Sequence, residues 1–330
     1  MYQLQRSILI LLIFSISACS QTPGELPYAT TPAPTATFTP WVAGTETALA
    51  VPSAVPFVEA TSTTTPIPLP TIPPPTTVVF SPLPAGTFSP VLYGFEGTNS
   101  LLVIGGIKKD QGWLSGEQAV QFIGAQSDYE LFSSNGSIQV QGSVPEFDPP
   151  CQNYVIRSAV VLPETMVGVV GGWRSEKRTI KELSTDDPAY LEAVAEWFRS
   201  QGNSPREIRI TRIMQVDMDG DGANEVLISA SYFTEKMSLL TETGDYSIVL
   251  MRRVIDNAVV TVPLVNDYYI SSVPEFEMSY PNTYILADAV DLNGDGTLEV
   301  IVDVRQWEGW GAIVYRVDGQ NVREVLRAIC

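Results

Sequence analysis

One twelve-residue pattern occurs twice in the second half of the chain and constrains how its surroundings can fold. Residues 216–227 (VDMDGDGANEVL) align with residues 290–301 (VDLNGDGTLEVI). Gly222 and Gly296 occupy the same place in the two copies, and glycine permits the sharp turn that such a short loop needs. Apolar, β-branched runs lie on both sides and favour strands. The pattern therefore predicts two tight acidic loops, each of which joins two strands.

The sequence around the two loops also matches. Residues 247–250 align with residues 312–315, and a hairpin-turn pair follows each of them, Asp256-Asn257 in one copy and Asp318-Gly319 in the other. Each unit therefore reads as strand, loop, strand, connection, strand, turn and strand. Four antiparallel strands in this order are typical of one propeller blade. The two units span about 208–265 and 272–330.

A third, degenerate copy is expected upstream, at 143–180. The sequence SVPEF occurs at 143–147 and again at 272–276, and an apolar run follows both. In the upstream copy, Pro163-Glu164-Thr165 stands where the acidic loop would be. A chance match is the alternative interpretation. If the copy is real, it has kept its strands and lost its metal ligands.

The acidic loops offer the oxygen ligands that Ca²⁺ prefers. Positions 1, 3, 5 and 9 of each loop carry side-chain oxygens, and position 7 contributes a backbone carbonyl. These positions hold Asp217, Asp219, Asp221, Ala223 and Glu225 in the first loop, and Asp291, Asn293, Asp295, Thr297 and Glu299 in the second. An EF-hand would need a glutamate at position 12, where this chain has Ile228 and Val302. We predict two Ca²⁺ sites that are not EF-hands; solvated Asp-Gly turns are the alternative.

With strands on both sides, the loops resemble those of the FG-GAP/VCBS repeat families. In those families the pattern Asp-x-(Asp/Asn)-x-Asp-Gly-x-x-(Asp/Glu) lies between two strands of a propeller blade and binds Ca²⁺. The resemblance covers about 120 residues and lacks the Phe-Gly-Gly-Ala-Pro signature. It implies blade-like sheets, but the chain has length for only about three or four blades. We therefore expect a partial or irregular assembly. The side-chain ligands implied by the resemblance are Asp217, Asp219, Asp221 and Glu225, and Asp291, Asn293, Asp295 and Glu299.

Two short helices are expected in a globular domain over residues 91–330. Ser115 and Gln118 have the spacing of a capping box ahead of an apolar run. Asp187 precedes Pro188, and proline is tolerated in the first turn of a helix. Most of the remaining sequence has strand character. The predicted fold is therefore mainly β, with two short helices and blade-like antiparallel sheets.

The N-terminal residues have the features of a bacterial lipoprotein signal. Arg6 precedes an apolar run over 8–16, which is too short to span a bilayer. Residues 16–19 (ISAC) resemble a lipobox, in which the signal is cut before the cysteine and the cysteine is lipidated. We expect a signal peptide at 1–18 and a lipid on Cys19 that anchors the chain outside the cytoplasm. An ordinary signal peptide is the alternative.

A stalk is expected over residues 19–90. Residues 20–90 contain 16 Pro and 16 Thr, with no Lys or Arg. Proline lacks an amide proton and fixes φ, so this composition disfavours helices and central strands and favours extended polyproline II. The segment would hold the domain away from the lipid anchor.

Charge and composition limit the function further. The chain has a formal net charge of −18, which favours cations as ligands and disfavours nucleic acid and anionic membrane surfaces. It contains no histidine, which excludes histidine-dependent catalysis and histidine-ligated metal sites. Apart from Cys19, only Cys151 and Cys330 remain, and we expect them to form a disulfide. Two unpaired thiols are the alternative.

Two classes of function are compatible with these features. We favour a non-enzymatic surface module, stabilised by Ca²⁺, that binds a protein or glycan. Trp307 and Trp310 are candidates for its binding surface, with core packing as the alternative. The other class is an extracytoplasmic hydrolase that acts on polysaccharide through paired carboxylates. The candidate acids are Glu146, Glu275 and Glu277.

Overall fold

The structure, a computed structural model, describes residues 86–124, 127–170, 173, 177–234, 241–270, 281–307 and 309–330. The expected signal peptide, Cys19 and the stalk up to residue 85 lie outside the described residues. The helices are α1 (Gly116–Val120) and α2 (Pro188–Ser200). The strands are β1 (Phe88–Gly94), β2 (Ser100–Lys108), β3 (Gly112–Ser115), β4 (Ser127–Ser133), β5 (Gly136–Gly142), β6 (Glu146–Asp148), β7 (Asn153–Arg157), β8 (Met166–Val170), β9 (Lys181–Glu182), β10 (Ile210–Val216), β11 (Glu225–Tyr232), β12 (Tyr246–Ile255), β13 (Ala258–Tyr268), β14 (Thr283–Val290), β15 (Glu299–Arg305), β16 (Trp310–Asp318) and β17 (Asn321–Ile329).

Within the described residues, the strands form three antiparallel sheets. The N-terminal sheet has the order β5-β4-β8-β1-β2-β7-β6, and β3 also pairs with β2. The middle sheet has the order β13-β12-β11-β10-β9, and the C-terminal sheet has the order β14-β15-β16-β17. The structure therefore confirms the predicted mainly β fold with antiparallel sheets and two helices.

The first strand begins earlier than the sequence suggests. β1 starts at Phe88, three residues before the predicted domain boundary at 91. Pro90 lies within this strand and pairs only with β2, because the pairing of β1 with β8 starts at Leu92. A proline is tolerated where one side of the strand has no ladder partner. Ser89 fills part of that gap, since its Oγ accepts a hydrogen bond from the backbone N of Val170 at 3.0 Å.

The middle and C-terminal sheets each contain a four-stranded meander. Strands β10 to β13 pair in chain order, and so do β14 to β17. In each meander the acidic loop joins the first strand to the second. Asp256 and Asn257 both have positive φ, 51° and 62°, as a tight two-residue hairpin requires, and Gly319 has a φ of 61°. The two predicted units thus have the same strand order.

The register of the third strand differs from the sequence alignment by two residues. At the loops the two units are 74 positions apart, as Asp217 and Asp291 show, so Ser231 in the first unit corresponds to Arg305 in the second. Ser231 pairs with Ser247, and Arg305 pairs with Trp310. Ser247 therefore corresponds to Trp310, whereas the alignment matched it with Ala312. Strand side chains alternate with a period of two, so a two-residue shift keeps the same faces buried. The hydrophobic pattern alone could not detect this error.

The described residues within 143–180 do not share the meander order. β7 pairs with β2 and β6, whereas β8 pairs with β1 and β4, so β7 and β8 are not neighbours. All of these strands belong to the N-terminal sheet. The described strands of the predicted degenerate copy therefore have a different topology from the two units, because β7 and β8 pair with β1, β2 and β4 and not with each other.

Hydrophobic packing stacks the three sheets with the C-terminal sheet between the other two. One face of that sheet packs on the middle sheet, and its other face packs on the N-terminal sheet. The second face of the middle sheet is covered by α2, through Val194 and Phe198. A separate cluster on the N-terminal sheet includes Ala119 of α1. Because both faces of the C-terminal sheet are covered, β15 is buried along six of its seven residues, which include the acids Glu299 and Asp303.

Both helices begin at the predicted caps. Ser115 Oγ accepts a hydrogen bond from the backbone N of Gln118, whose side chain accepts one from the backbone N of Ser115 at 3.0 Å. Asp187 Oδ1 accepts one from the backbone N of Ala189 at 2.9 Å, and Pro188 occupies the first turn. In the described part of the chain, neither helix is long and apolar enough to cross a membrane.

A disulfide joins the N-terminal and C-terminal sheets. Cys151, in the turn between β6 and β7, bonds to Cys330, and their Cα atoms lie 4.2 Å apart. Asn153 supports this junction, since its Nδ2 donates to the backbone oxygens of Cys151 and Ile329 at 2.7 and 3.0 Å. The predicted pairing of Cys151 with Cys330 is confirmed.

Candidate functional site: two acidic loops

The first loop is folded around the carboxylate of Asp217. This group accepts hydrogen bonds from the backbone N of Gly220 at 2.6 Å and of Gly222 at 3.0 Å. The two glycines have φ values of 80° and 90°, which favour glycine over residues with a side chain. The residue at position 1 therefore fixes the curl of the loop before any metal is considered.

The second loop repeats this arrangement around Asp291. Its carboxylate accepts hydrogen bonds from the backbone N of Gly294 at 2.7 Å, of Gly296 at 2.8 Å and of Asp295 at 3.2 Å. Gly294 and Gly296 have φ values of 76° and 89°. Asp291 is buried, whereas Asp217 is half-buried. The two loops thus adopt matching backbone conformations in two different sheets.

A buried glutamate closes each loop from the start of the next strand. Glu225 Oε2 accepts a hydrogen bond from the backbone N of Met218 at 2.8 Å, and Glu299 Oε2 accepts one from that of Leu292 at 2.9 Å. The glutamates are 3% and 0% exposed. Each leaves its second carboxylate oxygen free of backbone donors among the described residues. Position 9 thus supplies a carboxylate oxygen from beneath the loop.

The predicted ligands come together to different degrees in the two loops. Oxygens of Asp217, Asp219 and Glu225 all lie within 4.8 Å of one another. In the second loop, Asn293 Nδ2 donates to Asp295 Oδ2 and to Glu299 Oε1, both at 3.1 Å. In each loop the side chains at positions 3 and 9 therefore meet at one point.

The remaining predicted ligands support the turns. Asp221 Oδ1 accepts a hydrogen bond from the backbone N of Ala223 at 2.7 Å, and Asp295 Oδ1 accepts one from that of Thr297 at 3.0 Å. These contacts hold the backbone immediately before the position-7 residues, whose carbonyl oxygens are the predicted backbone ligands. Asp221 is exposed and has one oxygen in this contact, so it is less firmly held than Asp217.

Burial makes the closing glutamates difficult to ionise. The pKa of Glu225 is raised, mainly by loss of solvation, although the Met218 amide and Arg253 oppose the rise. The pKa of Glu299 is raised to about 8, mainly by burial, with the carboxylates of Asp295 and Asp291 adding repulsion. A divalent cation between these carboxylates would favour their charged forms.

An arginine at the same register position in the third strand of each meander contacts the loop. Arg253 Nη2 lies 2.7 Å from Asp219 Oδ2 and 3.6 Å from Glu225 Oε1. Arg316 Nη1 lies 2.6 Å from Asp295 Oδ2. The sequence alignment missed this pair, because its two-residue register error placed Arg253 opposite Asp318. Matched arginines offset part of the negative charge of each loop.

The two loops also contact each other. Leu298 donates its backbone N–H to the backbone oxygen of Met218 at 2.8 Å. Arg178 donates to the backbone oxygen of Asp217 at 2.7 Å and to that of Gly296 at 2.6 Å, so one guanidinium joins both loops. Its position in a connecting segment gave no recognisable sequence signal. The acidic loops therefore form one continuous site at the junction of two sheets.

Trp307 and Trp310 line a separate cavity of about 430 Å³. Trp307 is 45% exposed. Trp310 is half-buried, and its ring centroid lies 5.7 Å from the ring centroid of Phe95. The guanidinium of Arg305 also lies over the Phe95 ring, 5.1 Å from its centroid. Of the two tryptophans, Trp310 is thus mainly a packing residue and Trp307 is the more accessible.

Of the carboxylates proposed for a hydrolase, Glu146 alone lies among the described residues. Glu146 is exposed on the short strand β6. Glu275 and Glu277 lie outside the described residues. Comparisons of the chain with protein-family models, with curated proteins and with solved structures found no match.

Proposed function

We propose that this chain is a surface-anchored lipoprotein whose β-rich domain is a binding module stabilised by Ca²⁺. One observation carries the proposal: the same acidic loop occupies the same place, between the first and second strands, in two meanders. In both loops, backbone N–H groups already hold the carboxylates at positions 1 and 9. Such a preformed set of hard oxygen ligands suits Ca²⁺ better than Mg²⁺, which retains more water.

The proposed role of the ions is structural. The loops touch through Leu298 and Met218, at the junction of the middle and C-terminal sheets. Several carboxylates converge there, and Arg253 and Arg316 offset only part of their charge. Two cations would relieve the remaining repulsion and fix the junction. In this proposal the meanders are FG-GAP/VCBS-type blades, with Ca²⁺ bound by the ten predicted ligand residues.

The proposed location follows from the N-terminal sequence. Residues 1–18 would direct export, the lipid on Cys19 would hold the chain on a bacterial membrane, and the stalk up to about residue 87 would extend the domain from it. The disulfide between Cys151 and Cys330 fits an oxidising compartment. The ligand of the module would be a protein or a glycan, and the cavity beside Trp307 offers it an aromatic surface.

Equilibrium dialysis with radioactive Ca²⁺ tests the metal sites directly. We expect two ions per chain, with dissociation constants of about 0.1–1 mM, as in other extracellular modules. Asp217→Asn and Asp291→Asn should each remove one ion. Glu192→Gln is the control, because Glu192 is exposed on α2, away from the loops. Two bound ions that persist in the double aspartate variant would refute the assigned ligands.

A carboxylate-dependent hydrolase remains the second candidate because of one further cavity. Its volume is about 270 Å³, and Glu96, Glu164 and Asp303 line it together with Arg212 and Arg305. Asp303 is 2% exposed, and burial raises its pKa, as a general acid requires. If polysaccharide hydrolysis is detected, Asp303→Asn should abolish it. Hydrolysis that is unchanged in this variant would exclude the cavity.

A further inference from the structure

A basic cleft of about 560 Å³ lies beside the second acidic loop. Its walls come from the hairpin of β2 and β3, from the second loop, and from the hairpin of β16 and β17. We define this basic cleft by four cationic and two aromatic residues that line it: Lys108, Lys109, Trp113, Trp173, Arg316 and Arg323.

The cleft concentrates positive charge in an acidic protein. The chain has 19 Lys and Arg residues and a net charge of −18, yet four of those cations line this one cleft. Lys109 and Arg323 are exposed, and within the described residues neither side chain has a partner. Lys108 lies 3.9 Å from Asp110, and Arg316 is paired with Asp295. Two cations are therefore free to meet an anion.

The same cleft presents two indole rings. Trp113 and Trp173 are both half-buried. Trp173 Nε1 donates to the backbone oxygen of Leu292 at 2.8 Å, which fixes the orientation of its ring against the second loop. Indole faces pack on the apolar faces of sugar rings, and lysine and arginine pair with carboxylate, sulfate or phosphate groups. Together, these groups match a ligand that has both rings and negative charges.

We propose that the basic cleft binds an acidic saccharide, a sugar chain that carries carboxylate, sulfate or phosphate groups. Its volume falls within the range of small-ligand sites. A neutral sugar would leave the two free cations, Lys109 and Arg323, without anionic partners. The proposal deepens the proposed binding function and rests on it, since it gives the ligand class of that module. Ca²⁺ at the second loop would strengthen the binding by neutralising Asp295, an acid that lines the cleft.

Calorimetric titration of the full-length chain in about 5 mM CaCl₂, above the expected dissociation constants, tests the proposal. The probes are a hyaluronan hexasaccharide, which carries uronate groups, and neutral maltohexaose. We expect only the hyaluronan fragment to bind. Lys109→Ala and Arg323→Ala should each weaken its binding about fivefold, and Trp113→Leu about tenfold. Lys181→Ala, which removes an exposed lysine on β9, should leave the affinity unchanged.

Thermal melts of each variant separate loss of the cleft from loss of the fold, because Lys109 and Arg323 are exposed and their removal should not change the melting temperature. Equal binding of both saccharides, no binding of either, or unchanged affinity in both cation variants would overturn the proposal.

Ca²⁺ dialysis on the same protein distinguishes the two proposals. Bound Ca²⁺ without saccharide binding overturns only the cleft, and saccharide binding without bound Ca²⁺ supports the cleft and overturns the metal sites.

Discussion

Replacing Glu299 with glutamine should stabilise the folded chain without Ca²⁺ and should reduce the stabilisation that Ca²⁺ gives. Glu299 is fully buried, and its pKa is raised from 4.5 to about 8, mainly by burial. Without metal, the folded chain therefore binds this proton more tightly than the unfolded chain does. It follows that the group lowers the free energy of unfolding progressively as the pH rises from about 4.5 to 8. Glutamine has no charge to bury and should remove this dependence.

The size of the effect follows from the two pKa values. One pKa unit corresponds to about 1.4 kcal/mol, so the difference between 4.5 and about 8 sets an upper bound of roughly 5 kcal/mol. Local relaxation and entry of water reduce that bound, and we expect about 2–3 kcal/mol. In EDTA at pH 8, Glu299→Gln should thus be more stable than the natural chain by this amount, and at pH 5 the two should be nearly equal.

Ca²⁺ should remove most of the variant's advantage at pH 8. With about 10 mM Ca²⁺ and a dissociation constant of about 0.1–1 mM, one site stabilises the folded chain by roughly 1–3 kcal/mol. The variant lacks the anionic ligand at position 9 and should lose most of this gain. Urea unfolding at pH 5 and pH 8, in EDTA and in CaCl₂, measures all four combinations, with exposed Glu192→Gln as the control. A variant that is less stable than the natural chain in EDTA at pH 8 would refute the reasoning. So would a gain in free energy of unfolding on adding Ca²⁺ that is equal in the variant and the natural chain.

Three other predictions test separate parts of the structure. Above pH 5, Asp217→Asn and Asp291→Asn should each reduce by about half the rise in melting temperature on adding Ca²⁺. An unchanged rise in both variants would show that Ca²⁺ does not stabilise the chain through the loops. Cys330→Ser should lower the free energy of unfolding by about 2–4 kcal/mol, and dithiothreitol should reproduce this loss in the natural chain but not in the variant. Arg178→Met should cost about 1–3 kcal/mol through the loss of both loop carbonyl contacts, whereas Arg199→Met on α2 should cost less than about 1 kcal/mol; equal costs would contradict a bridging role.

The features that could be predicted from the sequence are those that local chemistry determines. Glycines at Gly222 and Gly296 specify the acidic loops, and the pair Asp256-Asn257 specifies a hairpin, because each needs a particular backbone conformation. The capping box at Ser115 succeeds for the same reason. The domain boundary predicted at residue 91, after Pro90, was wrong. Pro90 is tolerated inside β1 because β8 does not pair with it there, and that depends on tertiary pairing.

Features that depend on distant contacts could not be predicted. The match between Arg253 and Arg316 depends on strand register, and a two-residue shift is invisible to a pattern of period two. The basic cleft combines Trp113 with Arg316, some 200 residues further along the chain, and only the stacking of the sheets brings them together. The Arg178 bridge between the loops likewise has no local signature.

The most direct test of the two Ca²⁺ sites is the melting temperature of the full-length chain in excess EDTA and in about 10 mM CaCl₂ at pH 7. Two sites together should contribute about 3–5 kcal/mol, and one kcal/mol shifts the melting temperature of a domain of this size by about 2–4 °C. We therefore expect a rise of roughly 10 °C, which the Asp217→Asn/Asp291→Asn double variant should abolish. Equal melting temperatures in the two conditions, or an equal rise in the double variant, would contradict the account.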